Sequence, residues 1–166
     1  QFWPDDLDVT DQRIVVIGSG ATAITLIPAL AEAAAAVTML QRSPSYVVAL
    51  PAVSPVTPFV QRYLPAGAAH TVLRRINAAT SMATFEFCRR APRRARKVIR
   101  NLAARGLPRD FDVDTHFNPS YDPWDQRVCL CPDGDFFRAI RRGGAQVVTD
   151  TIDHVDADGI VVSSGA

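Results

Sequence analysis

Apolar residues form short unbroken runs near both ends of the chain and fall at helical spacing through its middle. Ile14-Val15-Val16-Ile17 has no polar alternation, which predicts a parallel strand covered on both faces. Gly18-Ser19-Gly20-Ala21-Thr22-Ala23 follows, and the Ala/Leu-rich residues after it predict a helix to about Ala36. Val37-Thr38-Met39-Leu40 predicts a second strand, closed by Gln41-Arg42-Ser43. Pro44, Pro51, Pro55, Pro58 and Pro65 prevent a long regular element next, leaving Tyr46-Val47-Val48 as a brief extended piece. From about Ala68 to Arg105 the spacing is helical, with Val72, Ile76, Ala79, Ala83 and Phe87 expected to face a core. Pro92 suits the first position of a further helix, whose predicted apolar face is Val98, Ile99 and Leu102. Asp110–Gln126 reads as an aromatic, acidic loop.

The remainder returns to alternating strand and helix. Val128–Cys131 predicts a strand, and Asp133-Gly134-Asp135 opens a helix through Arg142 with acid at its positive end. Gly143-Gly144 stops that helix, Gln146–Thr149 is a strand, and Ile152–Val155 with Ile160–Ser163 form a hairpin turning at Asp158-Gly159. The predicted class is α/β: a Rossmann-like dinucleotide-binding domain with a parallel sheet, a helical insertion at about 57–109 and a C-terminal β-hairpin.

The glycine string carries most of the chemistry because of its setting between a strand and a helix. Gly18 permits the tight turn, Gly20 lets backbone approach a pyrophosphate, and small Ala23 lets helix pack on strand. The free N–H groups of that helix then face an anion. The end of the second strand selects the dinucleotide. An NAD site places a carboxylate about 20 residues past the glycines for the ribose 2′-hydroxyl, whereas arginine meets a 2′-phosphate. Here Gln41-Arg42-Ser43 occupies that place and no acid lies between Ala33 and Asn77, so the expected ligand is NADP(H), with Gln41, Arg42 and Ser43 as its candidate binding residues at this end. Arg42 can pair with the phosphate through two N–H groups, and Ser43 can add a hydroxyl.

At 166 residues and net charge +1, the chain is one domain by length, and bulk charge selects no partner. No apolar run approaches a membrane span, no signal pattern opens the chain, and an odd count of three cysteines fits a reducing cytoplasm. Cys129 and Cys131 share a strand face and read as core packing rather than zinc ligands. Arg89, Arg90, Arg93, Arg94, Arg96, Lys97, Arg100 and Arg105 cluster with no acid from Phe87 to Pro108. A solvated helix face is the stronger reading; weak membrane-surface association is the alternative, and nucleic acid is not expected without interleaved aromatics. Asp112, Asp114 and His116 alternate, but they come from one short segment and no metal is expected. A short-chain dehydrogenase is excluded: its Tyr-x-x-x-Lys pair is missing, since the only lysine is Lys97 and position 93 is arginine. A chain that starts at Gln1 and stops after a strand is expected to be part of a longer protein.

Val16-Ile17-Gly18-Ser19-Gly20-Ala21-Thr22-Ala23, Met39-Leu40-Gln41-Arg42-Ser43-Pro44 and Asp112–Leu130 with Pro123-Trp124-Asp125-Gln126-Arg127 together resemble the flavin-dependent monooxygenases. The resemblance is to the Baeyer–Villiger and flavin-containing types, most of all the actinobacterial ethionamide-activating type, and covers nearly the whole chain. Trp3-Pro4 is similar to the tail of the family fingerprint F-x-G-x-x-x-H-x-x-x-W-P. The resemblance implies that residues 1–166 are the NADPH-binding portion, with the FAD-binding domain absent from this chain. It implies an enzyme in which NADPH reduces FAD and one oxygen atom of O₂ enters a ketone or a sulfur or nitrogen compound. Gly18, Ser19, Gly20, Ala21 and Thr22 would cradle the pyrophosphate, and Arg42 and Ser43, beside Gln41, would take the 2′-phosphate. Arg127 would be the catalytic arginine that reaches the flavin and stabilises negative charge formed on it. Many Baeyer–Villiger enzymes have Lys-Arg where this chain has Gln126-Arg127, so NADP preference would lean more on Arg42. An NADP-binding module without catalysis, or a basic-helix domain binding polyanions or membranes, is the alternative.

Overall fold

A computed structural model describes Pro4 and residues 6–165; Trp3, and with it the Trp3-Pro4 resemblance, lies outside the described residues. β1 (Arg13–Ile17), α1 (Ala21–Leu30) and β2 (Ala36–Gln41) form a parallel β-α-β unit. β5 (Ala145–Thr149) adds on the far side of β2, giving a parallel sheet of order β1-β2-β5. β3 (Tyr46–Leu50) and β4 (Val128–Pro132) form a separate parallel pair, and β6 (Ile152–Val155) and β7 (Ile160–Val162) the expected antiparallel hairpin. Helices α2 (Val56–Tyr63), α3 (Ala66–Arg90), α4 (Pro92–Gly106) and α5 (Val113–Phe117) lie between β3 and β4, and α6 (Asp135–Arg141) links β4 to β5. The α/β class, the parallel sheet, the helical insertion and the terminal hairpin all match the expectation.

The core lies between the sheet and the β3–β4 pair. Ile24 and Ile27 of α1, Val37 and Met39 of β2, and Phe136 and Phe137 of α6 are buried together there. Four phenylalanines make its centre: Phe117 stacks on Phe111 at 5.8 Å and meets Phe136 and Phe137 edge-on at 6.0 and 5.9 Å. Cys129 and Cys131 face this core, as their spacing predicts.

Four expectations are corrected. Helix α1 stops at Leu30, not near Ala36. The amide of Ala34 closes on Leu30, and those of Ala35 and Ala36 then turn to the Gln12 carbonyl. The parallel register sets Ala36 opposite Arg13, so an alanine with high helix propensity is drawn into strand. Strand β1 is not covered on both faces. Ile14 and Val16 face the helices, but Val15 is 44% and Ile17 63% exposed, because only the hairpin screens the other face. The spacing in α3 does not mark a buried face: Ala79, Ala83 and Phe87 are exposed, and only Ala69 and Cys88 of that helix are buried. Pro92 opens α4 as expected, but its buried stripe is Ala95, Ile99 and Ala103, with Val98 and Leu102 outside. Small residues meet the neighbours here because α4 packs close to β3 and α5.

Truncating the fully buried ring at Phe136→Ala removes the centre of the core. A loss of about 3–5 kcal/mol in unfolding free energy is expected by denaturant titration; a loss under about 1 kcal/mol would show that the aromatic cluster is not the core.

Candidate functional site

The site grows from the turn after β1. Gly18 has φ +119°, a conformation that side-chain-bearing residues rarely adopt, and its amide donates to the Leu40 carbonyl at 2.7 Å. That bond sets the start of α1 beside the end of β2. Gly20 is the N-cap of α1; no side chain caps the helix, and no acid occupies its first turn. A Cβ built on Gly20 would meet nothing within 4 Å, so open space lies in front of the turn. Ala21 and Thr22 are exposed in the first turn. The N-terminal N–H groups and the dipole of α1 are therefore available to an anion, and the residues present fit a pyrophosphate.

Ser19 faces inward. Its side-chain hydroxyl lies 2.9 Å from that of Ser45, and its carbonyl accepts from the Cys129 thiol at 3.4 Å. The residue thus pins the turn to the loop before β3 and to β4. Arg42 and Ser43 are exposed just past β2. Arg42 lines a cleft of about 400 Å³ with Ile17, Gly18, Leu40, Asp150, Thr151 and Ile152, and pairs with no carboxylate among the described residues. Gln41 differs from its neighbours in being buried, at 1% exposure. Its amide nitrogen donates to the His116 carbonyl and to the Thr149 hydroxyl, both at 2.8 Å. Its amide oxygen has no partner among the described residues.

Arg127 stands exposed immediately before β4. Its carbonyl accepts from the Tyr121 hydroxyl at 3.4 Å. Burial pushes the Cys129 thiol up, and the Arg127 charge draws it partly back, so the guanidinium acts on the thiol that touches Ser19. The glycine turn and Arg42 thus line one cleft, and Arg127 lies two residues before Cys129, whose thiol reaches the Ser19 carbonyl.

Sequence reasoning missed how the Asp110–Gln126 segment is held. Arg89 pairs with Asp125 at 2.5 Å, Arg96 with Asp122 at 3.8 Å, and Arg100 grips Asp114 through two bonds of 2.7 and 2.5 Å. Arg96 also donates to the Pro119 carbonyl, and Trp124 meets Phe85 edge-on at 6.0 Å. The basic face of α3 and α4 is therefore a dock for the acidic segment, not a wholly solvated surface. Opposite net charge in the two stretches was the available signal. Asp112, Asp114 and His116 diverge: Asp112 caps α5, Asp114 meets Arg100, and His116 sets Nδ1 2.7 Å from the Thr149 hydroxyl.

Such a parallel sheet with a glycine turn and an uncapped helix at its edge has the arrangement of the doubly wound α/β fold. No family model matches the chain. It is 51% identical over 166 residues to the FAD-containing monooxygenase EthA of Mycobacterium tuberculosis, covering 99% of this chain and 34% of that protein. It is 44% identical over 169 residues to the putative FAD-containing monooxygenase MymA of the same species, again 99% and 34%. The chain is thus similar over nearly its whole length to FAD-containing monooxygenases and spans about a third of the length of the curated relatives it matches. Its fold is that of solved monooxygenases. Steroid monooxygenase bound to NADP superposes with TM-score 0.69 at 21% identity, covering 99% of this chain and 38% of that one. OTEMO in complex with FAD and NADP gives 0.68 at 17%, covering 98% and 37%.

Burial holds the His116 imidazole below its usual pKa, against the pull of Asp112. Folding then favours neutral His116, so its contribution is present above the unfolded-state value near 6.5 and is lost as pH falls below it. Between pH 7 and 5 the native chain is expected to lose stability more steeply than His116→Gln in parallel denaturant titrations. Identical slopes would remove His116 from the acid response.

Proposed function

We propose that this chain binds NADPH as part of an FAD-dependent monooxygenase, which transfers one oxygen atom of O₂ to a ketone or to a sulfur or nitrogen compound. The observation that carries the reading is the pairing of an uncapped helix start at Gly20 with an unpaired Arg42 at the neighbouring strand tip. The first suits a diphosphate and the second a 2′-phosphate. The names of the relatives and of the solved structures support FAD and NADP as the cofactors.

The residues divide the work by charge and position. The backbone of Gly18, Ser19, Gly20, Ala21 and Thr22 holds the diphosphate, with Ser19 keeping the turn rigid through Ser45 and Cys129. Arg42 and Ser43 hold the 2′-phosphate, while Gln41 acts from inside by fixing the strand tip to α5 and β5. FAD, when bound by the rest of the protein, supplies the redox and oxygen chemistry. Arg127 presents a permanent positive charge toward it and stabilises negative charge developing there. The partners are the small-molecule substrate, O₂ and the FAD domain of the same longer protein. Three free, buried cysteines suit a reducing cytoplasm. No helix among the described residues is long and apolar enough to cross a membrane. Membrane-surface association through the Arg-rich helix has less support, since Arg89, Arg96 and Arg100 are engaged by acids of the same chain.

Calorimetric titration tests the cofactor assignment. Arg42→Ala is expected to weaken NADPH binding by about tenfold to a hundredfold, as for a lost charge-assisted pair, and NADH binding by less than about threefold. Equal losses for both would sink the 2′-phosphate assignment. The purified chain without added protein is expected to bind NADPH but show no oxygen consumption; turnover by the chain alone would refute the division of labour with an FAD domain.

A further inference from the structure

Strands β2 and β5 run side by side with Leu40 opposite Val148 and Gln41 opposite Thr149. The residues that follow are Arg42 and Asp150, and the Asp150 amide donates to the Gln41 carbonyl at 2.9 Å, which keeps the two chains side by side past the strand ends. Both residues line the cleft at the open face of the sheet. Opposite charges at neighbouring positions on one face commonly pair. Arg42 and Asp150 form no ion pair, because the carboxylate is held elsewhere. One oxygen, Oδ1, accepts from the Thr151 amide at 2.7 Å; the other, Oδ2, accepts from the Ser164 amide at 3.0 Å.

This arrangement does two things. The bonds from Ser164 and Thr151 hold the Asp150 carboxyl below the usual carboxylate range, so it is an anion at neutral pH. They also occupy one acceptor site on each oxygen and leave the others available to a ligand donor. The cleft that both charges line is also lined by Ile17, Leu40 and Ile152, and Ile17 and Ile152 are both exposed. A ligand complementary to all three features is a flat apolar ring that carries an amino donor at one edge and a phosphorylated sugar at the other. Adenine on a 2′-phosphorylated ribose has that chemistry.

We propose that Asp150 reads the base of the dinucleotide: its carboxylate accepts a hydrogen bond from the exocyclic amine of adenine, while the isoleucines support the ring and Arg42 holds the 2′-phosphate. The inference rests on the NADPH reading above and adds the base-selecting residue. A purine with a carbonyl oxygen in place of that amine presents an acceptor to a carboxylate, and the two repel.

The test compares NADPH with its hypoxanthine analogue, in which only the adenine amine is replaced by oxygen. Affinities are measured by titration on the full chain and on Asp150→Asn. The native chain is expected to bind NADPH about tenfold or more tighter than the analogue, the worth of one charge-assisted hydrogen bond. Asp150→Asn, whose side chain can offer either an oxygen or an N–H, is expected to bind the two within about threefold while still preferring NADPH to NADH. Equal affinity of the native chain for NADPH and the analogue overturns the proposal even if the variant fails to fold. So does a variant that keeps the tenfold preference, since Asp150 then serves only to anchor the hairpin. A native chain that binds neither NADPH nor the analogue overturns the NADPH reading itself.

Discussion

A single hydrogen bond, from the Gly18 amide to the Leu40 carbonyl, ties the glycine turn to the end of β2. It forms because Gly18 adopts a backbone conformation closed to most side chains. The turn then points the start of α1 at the same edge from which Arg42 emerges. Helix and strand carry complementary kinds of positive charge there: a spread of backbone N–H groups and one exposed guanidinium. Loss of that closure would separate the start of α1 from the tip of β2 while leaving each intact.

The surrounding structure holds this edge steady. Ser19 anchors the turn through both its parts: its hydroxyl meets that of Ser45 and its carbonyl accepts from the Cys129 thiol. Gln41 performs the matching task for β2. Its donation to the His116 carbonyl requires the amide nitrogen at that place, which leaves the buried amide oxygen without a donor. Such an orphan costs on the order of 1–3 kcal/mol and is tolerated where the rest of the network is stiff.

The basic helices have an internal purpose. Arg89, Arg96 and Arg100 carry the acidic segment that leads to Arg127, and Tyr121, whose hydroxyl reaches the Arg127 carbonyl, sits on that segment. Each ion pair is partly exposed and worth little alone. Together with the Pro119 carbonyl and the Trp124–Phe85 contact they fix a long irregular stretch at several points. The charge anomaly at Phe87–Pro108 is therefore one half of a pair whose other half lies at Asp112, Asp114, Asp122 and Asp125.

Local chemistry alone determined the strand–turn–helix unit, the β4-α6-β5 run and the Asp158-Gly159 hairpin, because unbroken apolar runs and punctuating glycines act over a few residues. It also determined Arg42 as the residue at the strand tip, since the distance from the glycines sets that position. Tertiary structure alone decided where α1 ends, because the register of two parallel strands outweighs the helix preference of Ala36. It decided that one face of β1 lies open and that α3 buries so little, as periodicity says which residues could be buried but not whether a neighbour comes to cover them. And it decided the company of Asp150: two backbone amides, one of them fourteen residues away, turn its carboxylate from the adjacent arginine, a long-range competition that no spacing along the chain encodes.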